Sequence, residues 1–148
     1  MPLTSTTFPL QDFQAVRNYL YGLKHHGAKF GIDRMQVLVE HIGRPHDRFP
    51  AIHIAGTNGK GSVCAFLDSI CREAGIRTGL YTSPHLVSFT ERIRIDGEPV
   101  AAEAVMAAAR RLEPLIEETG ASFFEATTAI AFLCSDGAAY VNGTVLQV

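Results

Sequence analysis

No apolar run in this sequence approaches the ~20 residues that a membrane-spanning helix needs. Basic residues are not in surplus either. Thirteen Lys and Arg stand against 15 Asp and Glu, a formal net charge of -2, so neither nucleic acid nor an anionic membrane is an expected partner. The stretch Met1 to Leu10 has no basic start and no apolar h-region. No signal peptide is therefore expected, and the cytoplasm is the default compartment. Cysteine is scarce: Cys64, Cys71 and Cys134 form no CxxC and no zinc-ligand spacing, and an odd count without close pairs excludes a disulfide framework. Cys64 and Cys71 fall on one face of a predicted helix and read as buried reduced thiols. Internal repeats and low-complexity segments are missing as well.

What is present is a globular balance: 148 residues, 47% hydrophobic and 19% charged, enough for one domain with a sizeable core. Apolar spacing predicts a first helix over Asp12 to Leu23, with Phe13, Val16, Leu20 and Leu23 as its stripe. A second helix starts near Asp33, read as its N-cap, and ends at Gly43 with Pro45 beyond. Pro50 precedes a strand over Ala51 to Ala55. A Gly-rich loop, Gly56 to Gly61, leads into a helix from Ser62 to Ala74 with the stripe Val63, Phe66, Leu67, Ile70, Cys71 and Ala74. Arg77 to Thr82 reads as the next strand. Strand, helix and strand in direct succession predict a right-handed crossover and a parallel pair. Arg92 to Ile95 is a short alternating stretch closed by the turn signal Asp96-Gly97. Helices are predicted over Ala101 to Glu118 and from Phe123 through Ala131. The order implies a three-layer α/β fold.

The chemistry concentrates in Gly56-Thr57-Asn58-Gly59-Lys60-Gly61-Ser62, between a strand and a helix. That is the context of a phosphate-binding loop. Glycines let the backbone turn its N–H groups inward and let phosphate approach. The helix N-terminus favours an anion. Lys60 can reach the outer phosphates, and Ser62 offers a hydroxyl to phosphate or Mg²⁺. The spacing departs from GxxxxGK followed by Ser or Thr: Ile54 stands at the first glycine position, and Gly61 separates Lys60 from Ser62. This departure disfavours a stand-alone P-loop kinase, and the lack of GxGxxG disfavours a dinucleotide site.

The stretch His53-Ile54-Ala55-Gly56-Thr57-Asn58-Gly59-Lys60-Gly61-Ser62 resembles the nucleotide loop of the folylpolyglutamate synthase and dihydrofolate synthase family, within the Mur ligase superfamily. Tyr81-Thr82-Ser83-Pro84-His85-Leu86-Val87-Ser88-Phe89-Thr90-Glu91-Arg92-Ile93 is similar to a second family signature. Phe123-Phe124-Glu125-Ala126-Thr127-Thr128 is similar to a third, and Phe30-Gly31-Ile32-Asp33-Arg34-Met35 to an early segment. The resemblance covers residues 10 to 133.

The resemblance implies an incomplete three-layer P-loop-type ATP-binding domain over 1–133. It implies a ligase that joins L-glutamate to a folate or dihydropteroate carboxylate through an acyl phosphate, with ATP and Mg²⁺ and no second subunit. Lys60 would neutralise the β- and γ-phosphates. Gly56, Thr57, Asn58, Gly59, Gly61 and Ser62 would line the loop. Ser83 and Glu125 match metal ligands; a turn residue before Pro84 and a helix-starting glutamate are their plainer roles. Gly27, Ala28, Lys29 and Phe30 align with a pterin-contacting stretch, where Phe30 would stack on the ring or serve as an ordinary core residue. His85 would contact the pterin loop or cap its turn. A Glu-Val-Gly-Leu-Gly-Gly-type turn, a later His and a C-terminal glutamate-binding domain also belong to the family pattern and are not in this sequence. Residues 134–148 instead resemble the closing segment of short-chain dehydrogenases, without that family's dinucleotide loop or Tyr-x-x-x-Lys pair. A truncated or chimeric chain is thus expected, marginally stable and nearly inactive. Its backbone should be irregular after Leu133 unless Val141, Val145 and Val148 supply a strand around the turn signal Asn142-Gly143. A nucleotide-binding module without ligation is the alternative function.

Overall fold

A computed structural model describes residues 10–23, 32–135 and 139–143, the last stretch by its backbone. Helix α1 (Phe13–Gly22) starts where the Asp12 carboxylate accepts the Ala15 N–H at 2.8 Å. Helix α2 spans Asp33–His41, so Asp33 is its first helical residue rather than its cap; its charge faces the positive end of the helix dipole. Strand β1 (Ala51–His53), helix α3 (Lys60–Glu73) and strand β2 (Thr78–Thr82) follow in the expected order. A 3-10 turn, Phe89–Arg92, leads into β3 (Ile93–Ile95), which hairpins to β4 (Glu98–Pro99). Asp96 and Gly97, with φ of 51° and 86°, make that turn, as their sequence signals. A side chain at Gly97 would also place its Cβ 2.9 Å from the Arg72 guanidinium carbon. Helices α4 (Ala102–Thr119) and α5 (Phe123–Cys134) follow, then strand β5 (Ala139–Gly143).

The sheet order is β1-β5-β2-β3-β4. This corrects two expectations. First, β1 and β2 run parallel but are not neighbours: β5 lies between them and pairs parallel with both. Second, the tail supplies a strand at 139–143, the exception to the expected irregularity after Leu133, but with no turn at Asn142-Gly143. The turn signal Asn142-Gly143 sits inside β5, in register with His53, Tyr81 and Thr82. A strand bonded along both edges satisfies its peptide groups on both sides, and this outweighs a local turn preference. Val145 and Val148 lie outside the described residues.

Successive residues of β2 point to opposite faces and show the layering. Tyr81 enters a large apolar core with Val16 and Leu20 of α1, Leu38 of α2, Leu112 and Ile116 of α4, and Ile130 of α5. Leu80 enters a small cluster on the other face, with Cys64 of α3 flanked by Ile54 and Leu67. The sheet is thus one layer between α3 and the four remaining helices, the three-layer α/β arrangement expected. Most of the predicted α3 stripe is not covered: Val63, Phe66 and Ile70 are 44%, 68% and 63% exposed. Asp68 is buried instead, accepting hydrogen bonds from Thr78 Oγ1 at 2.6 Å and Arg72 Nε at 2.9 Å. No described helix is long and apolar enough to cross a membrane.

Candidate functional site

The loop after β1 reaches α3 through two glycines in conformations that other residues rarely adopt. Gly56 has φ 149° and Gly59, the N-cap of α3, has φ 77°. Helix α3 therefore begins at Lys60, two residues before the predicted start, and Lys60 lies in its first turn. Lys60 is only 7% exposed. Its Nζ folds back over the loop and donates to the carbonyls of Gly56 and, at 3.0 Å, Thr57. The lysine thereby closes a ring around the loop while its charge stays at the helix N-terminus. Thr57, Asn58, Gly59, Lys60 and Gly61 line one wall of an open groove of about 590 Å³. Gly56 and Ser62 are exposed beside it.

The C-terminal end of β2 provides the other wall: Thr82, Ser83, Pro84 and His85, with Glu91 and Arg94 at the rim. The bond before Pro84 is cis. Ser83 Oγ accepts from Arg92 Nη1 at 2.7 Å, and His85 Nδ1 accepts from Arg92 Nε at 2.9 Å. His85 Nε2 lies 3.1 Å from Tyr21 Oη. The Glu91 carboxylate accepts the N–H groups of Leu86, Val87 and Ser88 at 2.7–3.1 Å. Those bonds, led by Ser88, hold its pKa below the ordinary glutamate value.

The structure brings Thr57 to Gly61, Ser83 and His85 together in one groove. Glu125 is not among the residues that line it. That carboxylate accepts the Ser122 N–H at 2.7 Å, while Ser122 Oγ accepts the Glu125 N–H at 3.4 Å. This is a capping box at the start of α5, the plainer of its two sequence readings. Gly27, Ala28, Lys29 and Phe30 lie outside the described residues. Arg92, Arg94, Glu91 and Tyr21 carry no site role in the sequence reading. The Ser88-x-x-Glu91 box was a legible signal for the loop, whereas the burial of Arg92 had none.

The phosphate-loop half fits a polyphosphate: a glycine-turned loop, a helix N-terminus and a lysine converge on one groove. A divalent cation is a poorer fit. Among the described residues no three His, Cys, Asp or Glu side chains cluster as ligands. Of the two residues matched to metal ligands, Ser83 alone lines the groove, and one lone pair of its oxygen accepts from a guanidinium.

Strand, glycine loop, helix and buried lysine on a three-layer sheet define an α/β domain of the phosphate-loop class. No family model matches the chain. It is 39% identical over 127 residues to a dihydrofolate synthase/folylpolyglutamate synthase of Bacillus subtilis, covering 82% of this chain and 30% of that protein. The crystal structure of folylpolyglutamate synthase from Thermotoga maritima superposes with a TM-score of 0.79 at 38% identity, over 88% of this chain and 32% of that one. A bifunctional folylpolyglutamate synthase/dihydrofolate synthase with Mn, AMPPNP and L-glutamate bound superposes with a TM-score of 0.75 at 29% identity, over 86% and 32%. Over the stretch it spans, the chain belongs to the folylpolyglutamate synthase/dihydrofolate synthase family. It spans about 30% of the length of these relatives.

Proposed function

We propose that this chain carries the phosphate-gripping part of an ATP-dependent ligase that joins L-glutamate to a folate or dihydropteroate carboxylate. The observation that carries this reading is the groove in which Lys60 and the loop from Thr57 to Gly61 face Ser83 and His85 across the sheet end. The similarity to a synthase holding AMPPNP and L-glutamate supports it.

In the reaction, a substrate carboxylate oxygen attacks the γ-phosphorus of ATP, and the bond to the β-γ bridging oxygen breaks. The acyl phosphate then takes the glutamate amine at its carbonyl carbon and releases phosphate as the amide forms. Such chemistry depends on positioning and charge neutralisation. The loop N–H groups would hold the β-phosphate, and Lys60 would turn from its own loop carbonyls to the β- and γ-oxygens. Arg94 adds a second positive charge at the rim. A bound Mg²⁺ would supply positive charge against that of the phosphates. The described residues do not complete a site for it. Gly27, Ala28, Lys29 and Phe30 are proposed to meet the pterin.

A second reading, a nucleotide-holding module without ligation, is favoured by Glu125, whose carboxylate is held in a helix cap. Calorimetric titration of ATP with Mg²⁺ into the wild-type chain and Lys60→Ala tests the shared part. We expect at least a tenfold loss of affinity, about 1.4 kcal/mol. Equal affinity in both would remove the phosphate-loop assignment. Glutamate-dependent phosphate release with a dihydropteroate acceptor separates the two readings: Lys60-dependent binding without release leaves the module.

A further inference from the structure

Arg92 is 4% exposed, and none of the ion pairs among the described residues includes it. Burying a guanidinium without a carboxylate is costly, so its environment must compensate in other ways. Two aromatic faces do part of this. The guanidinium carbon lies 5.7 Å from the ring centroid of Phe89 and 5.2 Å from that of Phe123. The two rings meet edge to face, and Tyr21 stacks on Phe123 at 5.5 Å and 11°. These contacts hold the guanidinium plane in one orientation. Its polar edge then makes two hydrogen bonds, both to groove residues: Nη1 to Ser83 Oγ and Nε to His85 Nδ1.

We propose that Arg92 is a positioning residue that fixes the Ser83 hydroxyl and one tautomer of His85 at the groove. This rests on the groove being the nucleotide site only for its effect on binding, not for the geometry itself. A guanidinium has donors and no acceptor, so the His85 Nδ1 it meets carries no proton. The ring proton is therefore on Nε2 and is donated to Tyr21 Oη at 3.1 Å. At Ser83, Arg92 uses one lone pair of Oγ. The hydroxyl proton and the second lone pair remain for a ligand in the groove. Lysine could not do the same, because a point charge on a flexible stem does not span two acceptors in a fixed fork.

The role differs from that of a packing residue in what it predicts. Losing a packing residue lowers stability, whereas losing Arg92 releases a tautomer and loosens a ligand contact in a folded protein. Long-range ¹H–¹⁵N spectra of the 148-residue chain, at a pH where imidazole is neutral, report which nitrogen of His85 is protonated. The wild type is expected to show the Nε2–H form alone, and Arg92→Lys a mixture of both. Arg92→Lys should also weaken ATP binding roughly tenfold, in the range typical of residues that orient ligating groups. A wild-type His85 protonated on Nδ1 would overturn the proposal, and this reading requires no variant to fold. So would an Arg92→Lys chain with an unchanged tautomer and unchanged ATP affinity. If the wild type binds no ATP at all, the nucleotide reading fails while the tautomer result still decides the role of Arg92.

Discussion

The two faces of the sheet are covered very differently. On the face that Tyr81 enters, α1, α2, α4 and α5 bury Val16, Leu20, Leu38, Val105, Leu112, Ile116 and Ile130 in one continuous core. On the face that Leu80 enters, one helix buries Cys64 and little else, and leaves Phe66 and Ile70 in solvent. The adjacent edge strand β1 is exposed at all three positions. The candidate site belongs to the sparse face, because the phosphate loop is the N-terminus of α3. The folding free energy and the site chemistry are therefore held by different parts of the molecule, and Arg92 joins them: its rings belong to the thick core and its hydrogen bonds to the groove.

The largest expected effect tests this contrast. Leu112→Ala removes a fully buried side chain from the thick core and should cost about 2–5 kcal/mol. Phe66→Ala, a larger truncation on the sparse face, should stay within about 0.5 kcal/mol. Denaturant midpoints of the two variants check the pair. A loss above about 1 kcal/mol for Phe66→Ala would show that this face is packed and that the contrast does not hold in solution.

A smaller effect concerns Glu125, at the end of α5 that feeds the thick core. As a capping-box residue it should lose about 1 kcal/mol on change to Ala. Glu125→Gln should lose almost nothing, since glutamine serves the same box. A divalent-cation ligand behaves otherwise, because glutamine weakens cation binding even where it preserves the cap. Thermal unfolding of both variants, with Mn²⁺ titration of Glu125→Gln, distinguishes the roles. A clear loss of Mn²⁺ affinity would return Glu125 to the metal site.

Local signals were the legible ones. The loop from Gly56 to Gly61 announces itself because turn, helix start and lysine lie within a few residues. The Asp96-Gly97 hairpin and the α1 stripe are equally local. The place of β5 was not legible. It depends on backbone pairing with β1 and β2, far away in sequence, and the local signal Asn142-Gly143 pointed to a turn. Helix α3 misled in another way: its apolar spacing is real, but spacing shows which residues share a face and not whether anything covers it. Arg92 stands within the Tyr81 to Ile93 segment, yet an arginine beside Glu91 reads as surface charge until the fold places Phe89 and Phe123 around it.

The smallest expected effect lies at the rim of the groove. Glu91 takes three N–H groups of the loop that carries the exposed Leu86 and Val87. The bonds favour its charged form, so its pKa in the folded chain lies below the ordinary 4.5. The sign follows from linkage: a depressed carboxylate stabilises the fold at pH values above the unfolded pKa. That contribution is lost as pH falls through the lower, folded value. Glu91→Gln keeps one acceptor oxygen and has no charge to lose. The stability gap between wild type and Glu91→Gln should therefore be open at neutral pH and narrow steadily below about pH 4. Thermal midpoints of both proteins across the acid range measure it. A gap that stays constant through that range would mean that the loop N–H groups do not hold the carboxylate. The groove wall from Leu86 to Ser88 would then be looser than the geometry indicates, and the sparse face would extend to the rim of the site.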